Sequence, residues 1–142
     1  MNKFDGMTAI TYGVFDLLHY GHFELFRRIR ELVGPTGKVI VMLQWDEWIT
    51  KYKDVKIVYD FETRKKMIEA LRYVDEVVGY DAVGIESARK VDFNLLVRGP
   101  EHNSERFQQL TKWCLANGKS YTILPRTDGV STTSLKQTIK DL

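Results

Sequence analysis

The sequence predicts an α/β fold, with a doubly wound five-stranded parallel sheet in a single domain. Short apolar runs rich in β-branched residues alternate with segments whose apolar residues recur at helical spacing. This alternation favours parallel strands joined by right-handed helical crossovers, with ligands bound at the carboxyl ends of the strands. At 142 residues with 44% hydrophobic content, the chain can bury one sizeable core but not two ordinary ones. We therefore expect one domain over residues 1–142.

Each element is predicted from its own pattern. Buried strands are predicted at residues 8–11, 38–43, 74–78, 94–98 and 121–124. Helices are predicted where apolar residues share one face: Phe23, Phe26, Ile29, Leu32 and Val33, then Met67, Ile68 and Leu71, then Phe107, Leu110 and Cys114. Gly34 and Gly118 stand where helix C-caps are expected. Residues 49–60 lack clean periodicity and hold three lysines, which fits a mobile loop over a site.

Composition narrows the classes of partner and compartment. The formal net charge is only +2, so no global basic field favours nucleic acid or a membrane surface as a partner. Cys114 is the single cysteine, which excludes an intrachain disulfide framework and fits a reducing compartment. The chain has no apolar stretch of 18 or more residues. We expect a soluble cytoplasmic protein.

The strongest functional pattern follows the first predicted strand. Gly13 allows a close approach of the backbone to a ligand, and His19 and His22 stand three residues apart at a helix start, where they can face one point. The helix N-terminus offers unpaired amides and a positive dipole end to an anion. Imidazoles there can donate hydrogen bonds to oxygens that gain charge as pyrophosphate departs. A zinc site is discounted because it needs three or four ligands and only His102 remains as a further histidine.

A second potential anion site lies near the C-terminus. A turn is predicted at residues 128–129, followed by a final helix through Ile139. Three hydroxyl side chains are good caps for that helix: Ser131, Thr132 and Thr133. Their hydroxyls and amides can form an anion cradle with Arg126 beside it. In isolation, the same pattern also fits an ordinary capped helix with a solvated arginine.

Three blocks of the sequence resemble the glycerol-3-phosphate cytidylyltransferases, within the superfamily marked by a His-x-Gly-His motif. The blocks are residues 12–22, 72–77 and 126–133. The motif from His19 to His22 identifies the superfamily, and the other two blocks point to the cytidylyltransferases. The resemblance implies a Rossmann-like domain, a homodimer and Mg-CTP as the donor substrate. It also implies that the second block lies at the dimer interface.

The resemblance further implies roles for individual residues. The nucleotide-binding positions are Gly13, Val14, Phe15, His19, Gly21, His22, Arg126, Thr127, Ser131 and Thr132. The groups expected to act on the transferring phosphoryl group are His19, His22, Lys51, Lys53 and Arg126. The acceptor-binding positions are Lys53, Arg64 and Arg72. Lys56 remains an alternative to the two loop lysines, because the spacing to Arg64 differs slightly from that of the family.

Two stretches depart from the family pattern. Val14 stands where the family usually has a threonine. Residues 99–102 read Gly-Pro-Glu-His where the family shows Gly-Asp-Asp-Trp, so the aspartates that help to recognise the base are absent. Glu101 is a candidate substitute for them.

The resemblance and the residues together predict a reaction. An acceptor phosphate oxygen attacks the α-phosphorus of CTP in line, and a phosphate monoester, with a second pKa near ~6, is already anionic without a general base. The product expected first is CDP-glycerol, a precursor of teichoic acid or another cell-surface polysaccharide. Mg²⁺ is expected to arrive with the nucleotide, because the sequence has no compact carboxylate cluster reserved for it. The alternatives are an adenylyltransferase that joins ATP to a sugar phosphate or flavin nucleotide, and a nucleotide-binding regulatory module without turnover.

Overall fold

The structure, a computed structural model, describes residues 3–53, 56–127 and 132–142. The strands are β1 (Thr8–Gly13), β2 (Lys38–Gln44), β3 (Glu76–Tyr80), β4 (Leu95–Arg98) and β5 (Ser120–Ile123). The helices are α1 (Tyr20–Val33), α2 (Asp46–Tyr52), α3 (Phe61–Glu69), α4 (Ile85–Arg89), α5 (Glu105–Ala116) and α6 (Thr132–Lys140).

The five strands form one parallel sheet in the order β3-β2-β1-β4-β5. Ile10 of β1 lies opposite Ile40 of β2 on one side and Leu96 of β4 on the other, so β1 is central. The chain adds β2 and β3 to one side of β1, and then β4 and β5 to its other side. The strand order therefore reverses between β1 and β4, and a crevice opens there at the carboxyl ends of the strands. The predicted doubly wound parallel sheet is confirmed.

Apolar side chains fill both faces of this sheet. On one face, Ile10 and Leu96 pack with Phe107 and Leu110 of α5. On the other face, the strands pack against two helices, and the buried apolar helical residues there are Phe26, Ile29 and Val33 of α1 and Phe61 and Ile68 of α3. Because the central strands are buried on both sides, they read in the sequence as continuous apolar runs.

Each predicted strand differs from the structure by one or two residues at one or both ends. The third strand begins at Glu76 rather than at residue 74, because Val74 belongs to a turn in which its N–H donates to the carbonyl of Leu71 at 3.1 Å. The Asp75 carboxylate then accepts the N–H of Val39 at 2.8 Å and pairs with Arg30, which holds this turn against β2. The Asp75 N–H also donates to the Val39 carbonyl at 2.9 Å, so Asp75 and Val39 are joined by two hydrogen bonds.

The predicted loop over residues 49–60 is wrong at its start. Its first residues belong to α2, which runs to Tyr52, because Ile49 is completely buried and anchors the helix to the core. Residues 54 and 55 of that loop lie outside the described residues. The short helix α4 has no counterpart among the predicted elements.

Glycine ends α1 as predicted. Gly34 has a φ of 71°, and its N–H donates to the carbonyl of Arg30 at 2.9 Å. The cap of α5 is Asn117, and Gly118, with a φ of 73°, follows it. Among the described residues, no helix has the length and apolar character that crossing a membrane requires.

Candidate active site

A cleft of about 300 Å³ opens at the carboxyl ends of β1, β4 and β5, where the strand order reverses. Its lining residues come from four segments of the chain: the end of β1 with the loop after it, the first half of α1, the turn after β4, and the segment after β5 with the start of α6. They are Tyr12, Gly13, Val14, Phe15, His19, Gly21, His22, Leu25, Arg28, Glu101, His102, Leu124, Pro125, Arg126, Thr127 and Thr133. The crevice therefore collects the first and third sequence blocks into one site.

The loop between β1 and α1 is held in an unusual conformation. Phe15 and Leu17 both have a φ of 49°, which is rare for residues other than glycine. Asp16 between them is buried, and its carboxylate accepts the N–H groups of Val58 at 2.6 Å and Tyr59 at 3.0 Å. The segment ahead of α3 thus fixes the loop from outside, and the ring of Phe15 turns back towards Gly13.

Gly13 and Gly21 are required by close contacts rather than by a positive φ. A Cβ atom at Gly13 would lie 2.7 Å from the ring of Phe15. A Cβ atom at Gly21 would lie 2.8 Å from Cε1 of His19. Any larger residue at either position would displace a ring that shapes the cleft.

The two histidines cap α1 reciprocally. His19 is the N-cap, and its Nδ1 accepts the N–H of Gly21 at 3.0 Å. Nδ1 of His22 accepts the N–H of His19 at 3.2 Å. Since both Nδ1 atoms are acceptors, each neutral ring carries its proton on Nε2. The rings stack with centroids 3.8 Å apart, so two Nε2–H donors lie side by side at a helix N-terminus.

Burial keeps these imidazoles uncharged. Desolvation, with smaller contributions from His19 and Arg126, lowers the pKa of His22 to about 3. Desolvation and the charge of Arg126 also lower the pKa of His19. At neutral pH both rings therefore act as hydrogen-bond donors through Nε2 without adding positive charge.

Arg126 supplies a permanent positive charge to the cleft. Its side chain is exposed, and its charge contributes to the lowered pKa of both histidines. The predicted final helix is confirmed as α6, and Thr133 of that helix lines the cleft. Residues 128–131, including the predicted cradle residue Ser131, lie outside the described residues, so the anion cradle with Thr132 stays a prediction.

The two predicted lysines lie at the end of α2. Lys51 is exposed in the last turn of α2, with Nζ 5.3 Å from the ring centroid of Tyr52. Lys53 is the C-cap of α2, and desolvation lowers its pKa. Burial is the main cause of the lowered pKa of His102, and the charge of Lys53 adds a small contribution. Neither lysine is a lining residue in this conformation.

The predicted acceptor arginines occupy very different environments. Arg64 is buried, and its guanidinium donates to the carbonyls of Val14 at 2.8 Å and Tyr59 at 3.1 Å and pairs with Asp46. Arg72 is exposed and lies beside Tyr73, its guanidinium 5.4 Å from the ring centroid. Neither arginine lines the cleft, and their roles towards the acceptor stay predictions.

The turn after β4 contributes Glu101 and His102 to the lining of the cleft. The His102 N–H donates to the Gly99 carbonyl at 3.1 Å, and His102 Nδ1 accepts the Gly99 N–H at 3.2 Å. The His102 ring stacks on Phe107 with centroids 4.4 Å apart, and burial lowers its pKa. The Glu101 carboxylate folds over Gly99, where a Cβ atom would lie 2.8 Å from Oε1. This turn therefore offers one anionic acceptor and one Nε2–H donor.

Sequence reasoning missed several lining residues, of which Arg28 is the charged one. A signal for it was present, because Arg28 follows His22 and Leu25 at intervals of three residues on one helix face. Among residues 3–53, 56–127 and 132–142, no group of three or more histidine, cysteine or acidic side chains could hold a metal ion. The predicted arrival of Mg²⁺ with a nucleotide is not tested by that finding.

Comparison with known proteins identifies the family. The model of the cytidylyltransferase-like family matches residues 10–138. The chain belongs to that family. A glycerol-3-phosphate cytidylyltransferase of Staphylococcus aureus is 41% identical over 131 residues, which cover 91% of this chain and 92% of the relative. An FAD synthase of Methanopyrus kandleri is 28% identical over 109 residues, which cover 76% of this chain and 71% of that enzyme.

A solved structure supports the fold. The lipopolysaccharide core biosynthesis protein from Thermoplasma volcanium superposes with a TM-score of 0.66 at 19% identity, covering 85% of this chain and 97% of that one. The predicted resemblance to the cytidylyltransferases is confirmed, and so is the prediction of a nucleotidyltransferase fold.

The charge state of the histidines gives a first testable prediction. Because desolvation lowers the pKa of His22 to about 3, its ring should remain neutral as the pH falls through the ordinary histidine range around 6.5. Long-range ¹H–¹⁵N NMR spectra of the free protein should show His22 as the Nε2–H tautomer, without titration between about pH 8 and 5. A midpoint near 6.5 in the chemical shift of His22 would contradict the burial argument.

Proposed function

We propose that this protein transfers CMP from CTP to glycerol-3-phosphate and releases pyrophosphate, which yields CDP-glycerol. The observation that carries the proposal is the pair of neutral imidazoles whose Nε2–H groups lie together at the N-terminus of α1, beside Arg126. The similarity to the Staphylococcus aureus enzyme over nine-tenths of the chain supports this choice of substrates.

The triphosphate of CTP binds against the start of α1. There the helix dipole, the Nε2–H groups of His19 and His22, and Arg126 all favour negative charge. Negative charge grows on the departing pyrophosphate as the bond to the α-phosphorus breaks. Donors already fixed in place stabilise that charge without reorganisation, and this is the main catalytic contribution of the site.

The nucleophile is the phosphate of the acceptor. With a second pKa near ~6, it is already anionic at neutral pH, so the reaction needs no general base. The lowered pKa of His22 agrees with this requirement, because an imidazole with a pKa of about 3 is a poor base but remains a hydrogen-bond donor. Catalysis then depends on alignment and charge neutralisation.

The remaining predicted site residues act at the acceptor side of the reaction. Lys51 and Lys53, at the end of α2, close on the transferring phosphoryl group. Arg72 and Arg64 bind the acceptor. For Arg64 to reach a phosphate, at least one of its contacts to Val14, Tyr59 and Asp46 must be exchanged. Mg²⁺ binds with the nucleotide phosphates, and the enzyme works in the cytoplasm.

Adenylyl transfer from ATP is the second candidate function. The residues of the turn after β4 are compatible with an adenine base. Glu101 and His102 offer an acceptor and a donor to a base. Cytosine and adenine both present an amino group beside a ring nitrogen, so this pair distinguishes them less sharply than it distinguishes cytosine from uracil. The FAD synthase of Methanopyrus kandleri shows that chains similar to this one serve other acceptors.

A substrate panel tests the proposal. Pyrophosphate release is measured for CTP, UTP, ATP and GTP, each with glycerol, ribitol, erythritol, choline, ethanolamine and heptose phosphates. CTP with glycerol-3-phosphate should be preferred over ATP by at least about tenfold in kcat/KM, or about 1.4 kcal/mol. Equal or faster release with ATP would assign the protein to the adenylyltransferases. If no pair of substrates released pyrophosphate, the protein would instead be a regulatory nucleotide-binding module without turnover.

The role of the histidines is tested with His22→Ala. Because the Nε2–H group acts on charge that develops in the transition state, kcat should fall by roughly 10²-fold or more, with little change in KM for CTP. The melting temperature of the variant, measured in parallel, controls for loss of the α1 cap. A normal kcat with a raised KM would reduce His22 to a ground-state binding residue.

We also propose that the protein is a two-fold homodimer, with residues 72–77 at the interface. The exposed Arg72 and its neighbour Tyr73 are available to a second copy, and two-fold dimers are the commonest assembly of soluble proteins. Sedimentation should give twice the chain mass of 16.6 kDa at assay concentrations. A fully active species at the mass of one chain would contradict the dimer.

A further inference from the structure

One basic residue of the cleft has no role in the mechanism described above. Arg28 lies on the face of α1 that also carries His22 and Leu25 into the cleft. Its neighbour Arg27 pairs with both Glu24 and Glu31 on the outer surface. Among the described residues, Arg28 has no ion pair within 4.0 Å. The two adjacent arginines of α1 thus have different surroundings: Arg27 pairs with surface carboxylates, and Arg28 lines the cleft.

Arg28 is bonded to the backbone just before Arg126. Its Nη1 donates to the carbonyl of Pro125 at 3.0 Å. The β5 ladder reaches one residue beyond the strand, where the Leu124 N–H donates to the Arg98 carbonyl at 2.9 Å. Pro125 has no N–H with which to continue it. Among the hydrogen bonds between described residues, the one from Arg28 is therefore what holds the backbone of residues 125–127.

The position of Arg126 depends on that backbone. Arg126 is exposed, and among the described residues no carboxylate pairs with it. Even so, its charge is close enough to lower the pKa of both histidines. Thr127 lies against the first turn of α1, its Cβ 3.9 Å from the place of a Cβ at Gly21. The segment is thus seated on α1 at two points, Gly21 and Arg28.

We propose that Arg28 is a positioning residue that holds the Pro125–Arg126–Thr127 segment against α1, so that Arg126 lies beside the Nε2–H groups of His19 and His22. Because His22 and Arg28 belong to α1 and His19 caps it, one helix then sets the distance between the imidazoles and Arg126, which share the departing pyrophosphate. This inference rests on the proposed function, since pyrophosphate is its leaving group.

The first experiment compares variants at neighbouring positions. Arg28→Ala should lower kcat/KM for CTP by at least about tenfold, because the segment that carries Arg126 then loses its hydrogen bond to α1. Arg28→Lys keeps a charged donor for the Pro125 carbonyl and should restore the rate to within about threefold of the wild type. Arg27→Ala removes the same charge one residue away and should change the rate by less than about twofold. Equal losses in Arg27→Ala and Arg28→Ala would overturn the proposal.

A double-mutant cycle separates positioning from direct phosphate contact. If Arg28 acts through Arg126, removing it in an Arg126→Ala background should cost less than about threefold in kcat/KM. If Arg28 contacted the phosphates itself, the two losses would multiply, and that result would overturn the proposal. The apo melting temperatures of all variants are compared, and a loss of rate that disappears at a temperature where every variant is folded would also overturn it.

A binding measurement makes the inference independent of turnover. The same cycle is run with inorganic pyrophosphate by calorimetry, where Arg28→Ala should weaken binding at least about tenfold in the wild-type background and less than about threefold without Arg126. If the wild type released no pyrophosphate from any nucleotide, the proposed function would fail while this cycle still decided the role of Arg28. Multiplying losses, or a wild type that does not bind pyrophosphate, would overturn the inference.

Discussion

The reciprocal capping of α1 by His19 and His22 is the constraint on which the site depends. The amides that begin a helix need acceptors, and here the acceptors are the Nδ1 atoms of the two rings. The same bonds that start the helix therefore choose the tautomer, direct each Nε2–H outwards and place the rings in a stack. Folding of the first turn of α1 and preparation of the site for an anion are a single event.

Two charged groups that do not line the cleft in this structure support the arrangement from behind. Asp16 and Arg64 both join the β1–α1 loop to the segment ahead of α3, one through backbone amides and the other through backbone carbonyls. That segment follows the lysine-bearing stretch directly in sequence. The two ends of the region that carries Lys51 and Lys53 are thereby tied to the loop that presents the histidines, since Asp46 at the start of α2 also pairs with Arg64.

Features that follow from local periodicity could be predicted from the sequence, and features that depend on long-range contacts could not. Patterns within about a dozen residues predict the strands of the parallel sheet and the helices α1, α5 and α6. The motif from Gly13 to His22 is equally local. The first turns of α2 were missed because a single buried side chain, Ile49, sets that helix against the core. The contacts of Arg64 with Val14 and of Arg28 with Pro125 span 50 and 97 residues, and no spacing rule reports them.

The turn after β4 makes the charge distribution of the cleft asymmetric. Glu101 is the one carboxylate among the described lining residues, and it belongs to the turn after β4, whereas the histidines and Arg126 come from the start of α1 and the segment after β5. A nucleotide that entered the wrong way round would bring its phosphates against that carboxylate, which costs free energy, and would leave the basic groups facing an uncharged base. Repulsion by Glu101 therefore disfavours the reversed orientation, and attraction by the basic groups favours the correct one. The charge distribution of the ligand selects its orientation before any specific hydrogen bond forms.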